Sequence, residues 1–103
     1  MGGIEDGTGE FADVLEDVIL QGVVTITSTQ TELKVGASLN PDREVVRVYN
    51  NSNETIFFGP NGVTTTTGEP LRRRQSMEMP IGAQQLFAIT ASGTADVIVW
   101  ELG

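Results

Sequence analysis

Gln84-Gln85-Leu86-Phe87-Ala88-Ile89-Thr90-Ala91-Ser92-Gly93-Thr94-Ala95-Asp96-Val97-Ile98-Val99-Trp100-Glu101-Leu102 reads as two apolar strands joined at a Ser-Gly turn. β-branched and aromatic side chains suit a pleated, half-buried surface, and glycine at the turn adopts backbone angles that other residues avoid. Val97, Ile98, Val99 and Trp100 are apolar on both sides of their strand, which puts that strand in the middle of a sheet or under cover on both faces.

Working outward, the same period of two runs back to Val23. It predicts strands at Val23–Ser28, Thr31–Val35, Glu44–Asn50, Thr55–Phe58, Ser76–Met79, Leu86–Ala91 and Ala95–Leu102. Asn40-Pro41-Asp42 and Asn50-Asn51-Ser52-Asn53 supply turn residues between them. Met77, Met79 and Ile81 alternate with Ser76 and Glu78, the pattern of a strand with one face in a core. The fold class that follows is all-β, a small antiparallel β-sandwich or barrel of about seven strands over residues 23–103.

Ahead of it, residues 1–22 read differently. Met1 to Glu10 is rich in glycine and acids with Ile4 as its one large apolar residue, so it forms an arm with little reason to order alone. Phe11, Val14, Leu15, Val18 and Ile19 then recur at the spacing of one helix face, while Asp13, Glu16 and Asp17 fall elsewhere. Thr8 is placed to cap such a helix and Gly22 to stop it. A helix this short is marginal in isolation, so its apolar face requires a cover: its own domain or a neighbouring subunit.

The chain has 103 residues with 39% hydrophobic, enough for one modest core and too few for two domains. Neither cysteine nor histidine is present. Disulfides, imidazole acid/base chemistry, a Ser-His triad and the usual zinc ligation are thereby excluded within the chain, leaving only carboxylates. A net charge of −8 opposes binding to nucleic acid or to an anionic membrane, and neither partner is expected. Lys34 is the one lysine; such an acidic, lysine-poor balance fits a halophilic, high-salt cytoplasm, or equally an ordinary domain carrying an acidic arm. No apolar stretch approaches the ~20 residues that span a bilayer, and no signal-peptide pattern follows Met1, so synthesis in a cytoplasm is expected.

Several constellations carry groups capable of chemistry. Acids are numerous enough for a glycosidase-type pair, but none is singled out, and Asp96 in a strand is best read as bonded to a neighbour. Asn50-Asn51-Ser52-Asn53-Glu54 offers oxygen ligands without the spacing of a calcium loop, and reads as a hairpin turn. Phe57, Phe58, Phe87 and Trp100 would serve a sugar platform only if exposed together; in apolar strands they read as core, while Tyr49 belongs near a surface. Arg72-Arg73-Arg74 is the one basic cluster, either a solvated turn or a clamp on carboxylates of another subunit, with Glu5, Asp6, Glu10, Asp13, Glu16 and Asp17 as partners. No catalytic residue, cofactor or metal is expected.

Six stretches together carry a resemblance: Val24-Thr25-Ile26-Thr27-Ser28-Thr29, Arg47-Val48-Tyr49-Asn50-Asn51, Thr55-Ile56-Phe57-Phe58-Gly59, Gly62-Val63-Thr64, Gly68-Glu69-Pro70-Leu71 and Leu86 through Val97. Over Val23 to Leu102 the chain resembles the small β domains found in virion proteins of tailed bacteriophages and archaeal tailed viruses, in capsid decoration, turret, spike, fibre and adaptor roles. Arg72-Arg73-Arg74 departs from the resemblance, where a glycine-containing turn is expected. The resemblance implies a non-enzymatic virion structural protein, foremost a homo-oligomeric capsid decoration or turret protein. Its partners would be itself, as trimer or pentamer, and other virion proteins such as the major capsid protein. A tail fibre or adaptor module, or a receptor- or carbohydrate-binding domain, is the alternative, with a glycan possible but unsupported. The interface residues expected are Phe11, Val14, Leu15, Val18, Ile19, Arg72, Arg73 and Arg74.

Overall fold

A computed structural model of the chain describes residues 19–103. Eight strands follow in order: β1 (Ile19–Ile26), β2 (Thr31–Glu32), β3 (Val45–Asn50), β4 (Ile56–Gly59), β5 (Glu69–Leu71), β6 (Ser76–Met79), β7 (Phe87–Thr90) and β8 (Ala95–Leu102). They form two four-stranded sheets, β1-β8-β3-β6 and β2-β7-β4-β5, with every pairing antiparallel. The chain is all-β among the described residues, as the period of two predicts.

The pairing has a simple logic. β1 pairs with β8, β2 with β7, β3 with β6 and β4 with β5, as in one long hairpin rolled up until β8 also meets β3 and β7 also meets β4. This is the jelly-roll order, which packs the inner faces of the two sheets together. Except at the β4–β5 hairpin, each connection crosses from one sheet to the other. The Ser-Gly turn between β7 and β8 is one of these crossings, not a hairpin. Gly93 takes φ 72° there, and Thr90 Oγ1 donates to the Gly93 carbonyl at 2.9 Å.

Inner faces follow from alternation. Ala95, Val97 and Val99 of β8, Val46 and Val48 of β3 and Ile26 of β1 meet Ile56 and Phe58 of β4, Leu71 of β5 and Ala88 of β7, with Leu33 and Leu86 from the connections completing the core. Burying each large aliphatic or aromatic side chain is worth about 1.5–3 kcal/mol, so this one layer is the principal favourable term in the fold. Met77, Met79 and Ile81 pack against it as their spacing predicts. β8 is central, flanked by β1 and β3, which explains its doubly apolar sequence.

Three boundaries depart from the sequence reading. β1 begins at Ile19, ahead of Val23, because Ile19 to Gly22 continue the ladder opposite Leu102 to Val99; Ile19 therefore sits on a strand and not on a helix. The expected strand Thr31–Val35 keeps only Thr31–Glu32 as ladder, and Leu33 adds one further bond to Leu86 before the chain turns away. Glu69–Leu71 is an additional strand, hidden in sequence by Pro70, which an edge strand tolerates. The helix expected over Phe11, Val14, Leu15 and Val18, and the arm before it, lie outside the described residues.

Candidate functional site

The outward face of the β1-β8-β3-β6 sheet is built from the residues that alternate with the core. Cross-strand partners share a face, so the register sets out its rows. Ile19, Leu102 and Val45 form the first row; Gln21, Trp100, Arg47 and Glu78 the second; Val23, Ile98, Tyr49 and Ser76 the third; Thr25 and Asp96 the fourth. The first and third rows are largely apolar on a surface that faces away from the core. Val23 is 69% exposed and Ile19 61%. An antiparallel sheet with one solvated face ordinarily carries polar residues there, so this band is out of pattern for a surface that meets only water.

One polar row runs through it. The Arg47 guanidinium lies 5.6 Å from the centre of the Trp100 ring, while Nη1 donates to Glu78 Oε2 at 2.9 Å and Nη2 to Ser76 Oγ at 3.3 Å. Arg47 is thus held across the sheet over the Trp100 indole. Asp96, at the far end, accepts from Thr25 Oγ1 at 2.7 Å, the neighbour bond its strand position implied.

Arg72, Arg73 and Arg74 occupy the turn between β5 and β6 and are exposed. Arg74 takes φ 62°, a left-handed conformation that glycine adopts far more cheaply, which accounts physically for the glycine expected in this turn. The turn is held by Arg74 N–H donating to the Asn50 carbonyl at 2.8 Å and by Arg74 Nη1 donating to Asn51 Oδ1 at 2.6 Å. These bonds place the arginines at the Asn50 end of β3. Ile19 pairs with Leu102, which pairs with Val45 at the other end of the same strand. The chain therefore joins β1 at one end of the sandwich and presents its arginines at the other.

Two buried polar centres frame this arrangement: Asn50, read from sequence only as part of a turn, and the Arg43–Glu101 pair, which the sequence reading did not single out. Asn50 Nδ2 donates to the carbonyls of Glu54 at 2.7 Å and Leu71 at 3.0 Å, and its Oδ1 accepts from Ser52 Oγ at 2.6 Å, fastening the turn after β3 to β5. At the opposite end Arg43 Nη1 donates to Glu101 Oε2 at 2.8 Å and to the Leu33 carbonyl at 3.2 Å. Its Nε and Nη2 donate to the carbonyls of Gly82 and Gln84 at 2.8 and 2.7 Å. The readable signal for this pair was Glu101, an acid at an inward position of an apolar strand, which demands a buried cation.

The aromatic residues are not brought into one groove. Phe58 is in the core. Alternation turns Phe57 and Phe87 to the outer side of the second sheet, and Tyr49 and Trp100 to the outer side of the first. Among the described residues no group of three acidic side chains is arranged to hold a metal ion. Of the expected interface residues, Ile19 and Arg72–Arg74 are placed at opposite ends of the sandwich, and Phe11, Val14, Leu15 and Val18 lie outside the described residues.

Comparison with known proteins adds no relative: no family model matches the chain, and no curated protein or solved structure does.

Proposed function

We propose that this chain is a virion structural protein of a tailed virus, a homo-oligomeric capsid decoration or turret protein that works by binding and not by catalysis. The observation that carries the reading is the apolar outward face of the β1-β8-β3-β6 sheet, with Val23 on its edge strand 69% exposed. Such a face, two apolar rows about one polar row and next to the point where the chain joins β1, is suited to protein contact. The jelly-roll order agrees with the sequence resemblance, since this architecture recurs in viral capsid domains, although it also occurs in lectins and cupins and fixes no role by itself.

Lectin-type binding has less support. A sugar platform needs exposed aromatic rings side by side, whereas Phe57 and Phe87 stand on the opposite side of the sandwich from Tyr49 and Trp100, and Arg47 lies over Trp100. Weak single contacts suffice for a decoration protein because many copies act together on one particle. The partners in this reading are further copies of the chain and the major capsid protein, with the arm and the arginine turn as the contacts. The site of action is the virion, after synthesis in the host cytoplasm.

The test is gold-labelled antibody against the chain on particles purified from the source culture, combined with quantitative mass spectrometry of the same particles. Regular label over the head at high copy number is the expected result. Label confined to the tail would turn the reading toward a fibre or adaptor, and absence from the particles would remove it.

A further inference from the structure

The size of the apolar band on the outward sheet face bears on what can cover it. Its three strands β1, β8 and β3 span roughly 14 Å across and about 26 Å along at ordinary strand spacing and rise, a footprint of roughly 400 Å². A stable interface takes about 800 Å² from each partner, so two such faces pressed together fall short of holding a pair of copies. Further apolar surface is required, and the chain carries it immediately before β1: Phe11, Val14, Leu15 and Val18 at helical spacing.

That segment is poorly placed to cover its own sheet. It joins β1 at Ile19, in the first row of the band, and β1 then runs along the face toward Ile26. Lying back over the same face requires a reversal between Val18 and Ile19. Reversals use Gly, Pro, Asn, Asp or Ser, and from Phe11 to Leu20 the sequence offers only Asp13 and Asp17, both inside the helical spacing.

We infer that residues 11–18 of one copy seat on the band formed by Ile19, Val23, Val45, Ile98, Trp100 and Leu102 of another copy. This rests only on the homo-oligomeric part of the function proposed above and gives that part its contact. The donor sandwich then lies beyond the Ile19 end of the receiving one. At the helical rise that the spacing of Phe11, Val14, Leu15 and Val18 predicts, residues 11–18 would cover about 12 Å of the band from that end. The preceding residues, extended at up to about 3.5 Å each, carry Glu10, Asp6 and Glu5 across the remaining length to Arg72, Arg73 and Arg74. The arginine turn and the apolar band become two parts of one binding track, apolar near Ile19 and basic at the far end.

The chain has no cysteine, which permits a direct test in the full-length protein. Ala12→Cys and Gln21→Cys each leave the apolar contacts in place, and one variant carries a mass tag. The two are mixed, oxidised and resolved by mass, alongside the Ala12→Cys/Gln21→Cys double variant. A seated pair sees an effective concentration near millimolar, so at roughly 10 μM protein the tagged–untagged bridge is expected to form about a hundredfold faster than by collision, with the double variant linking into ladders. A bridge found only within single copies of the double variant overturns the inference in favour of self-covering. No bridge in either sample, with light scattering still reporting an oligomer, overturns the arm contact and leaves self-association standing. No bridge with a monomer overturns both.

Discussion

Arg43 Nη1 and Glu101 Oε2 meet at 2.8 Å with neither side chain exposed to solvent, joining the connection before β3 to the end of β8. The other Glu101 oxygen, Oε1, has no hydrogen-bond partner among the described residues. A buried pair of this kind holds its elements in place more than it adds net stability, because both charges lose their hydration. Breaking it is a different matter, since the surviving charge is stranded. Arg43→Met is expected to cost about 3–5 kcal/mol in chemical denaturation, a large share of what a domain of this size has. The Arg43→Met/Glu101→Leu double variant should lose less than the two single losses added together, by about 0.5–3 kcal/mol. Simple additivity would show that the pair is not coupled.

Asn50 gives a second stability test with a sharper chemical signature. Its amide donates to two carbonyls, so Asn50→Asp replaces donors with a carboxylate facing two acceptors, whereas Asn50→Ala only removes them. Thermal unfolding should rank wild type above Asn50→Ala and that above Asn50→Asp, with the alanine variant down by about 1–3 kcal/mol, or several degrees or more in Tm. An aspartate variant as stable as the alanine one would contradict the donor assignment.

Gly68 is fixed by crowding. A Cβ there would stand 2.8 Å from Phe57 Cβ, 2.8 Å from Val63 Cγ2 and 2.9 Å from the Thr64 carbonyl oxygen. The backbone oxygen has no rotamer with which to yield. Gly68→Ala is therefore expected to destabilise by about 1–3 kcal/mol through overpacking, read from the denaturation midpoint. Gly36→Ala makes a useful contrast, because nothing lies within 4 Å and its penalty arises only from φ 75°.

Folding and assembly separate at the arginine turn. Arg74→Gly relieves the left-handed backbone but gives up the bond to Asn51, two effects of about 1 kcal/mol each, so stability should barely change. Arg74→Val, β-branched at φ 62°, should be clearly less stable. Replacing Arg72, Arg73 and Arg74 together with Ser, Ser and Gly should leave the melting curve intact and weaken self-association, most visibly at low salt, where the arginine–carboxylate attraction is strongest. Unchanged association would remove the turn from the binding track.

Much of this fold was legible in the sequence. The alternation in Met77, Met79 and Ile81 identified an inward face, and the doubly apolar run Val97 to Trp100 identified a central strand. What alternation cannot convey is which strands pair. The turn at Ser92-Gly93 looks the same whether it closes a hairpin or crosses between sheets, and only the ladder of β8 with β1 and β3 decides. Glu69–Leu71 was missed because Pro70 argues against a strand in sequence while costing nothing at an edge. At the candidate site, the exposed arginines were readable as a run, but the apolar band was not. Its residues come from β1, β3 and β8, remote in sequence, and become one surface only through the register.

The most direct measurement is the mass in solution, by light scattering, of the full chain beside a Val23→Asp/Ile98→Asp variant whose melting curve matches it. Both positions lie on the outward face, so the charges enter the band without entering the core. The expected result is a closed oligomer for the natural chain and a folded monomer for the variant. A natural chain that stays monomeric across the concentration range, or a variant that associates equally well, would contradict the assignment of this sheet face as the assembly surface.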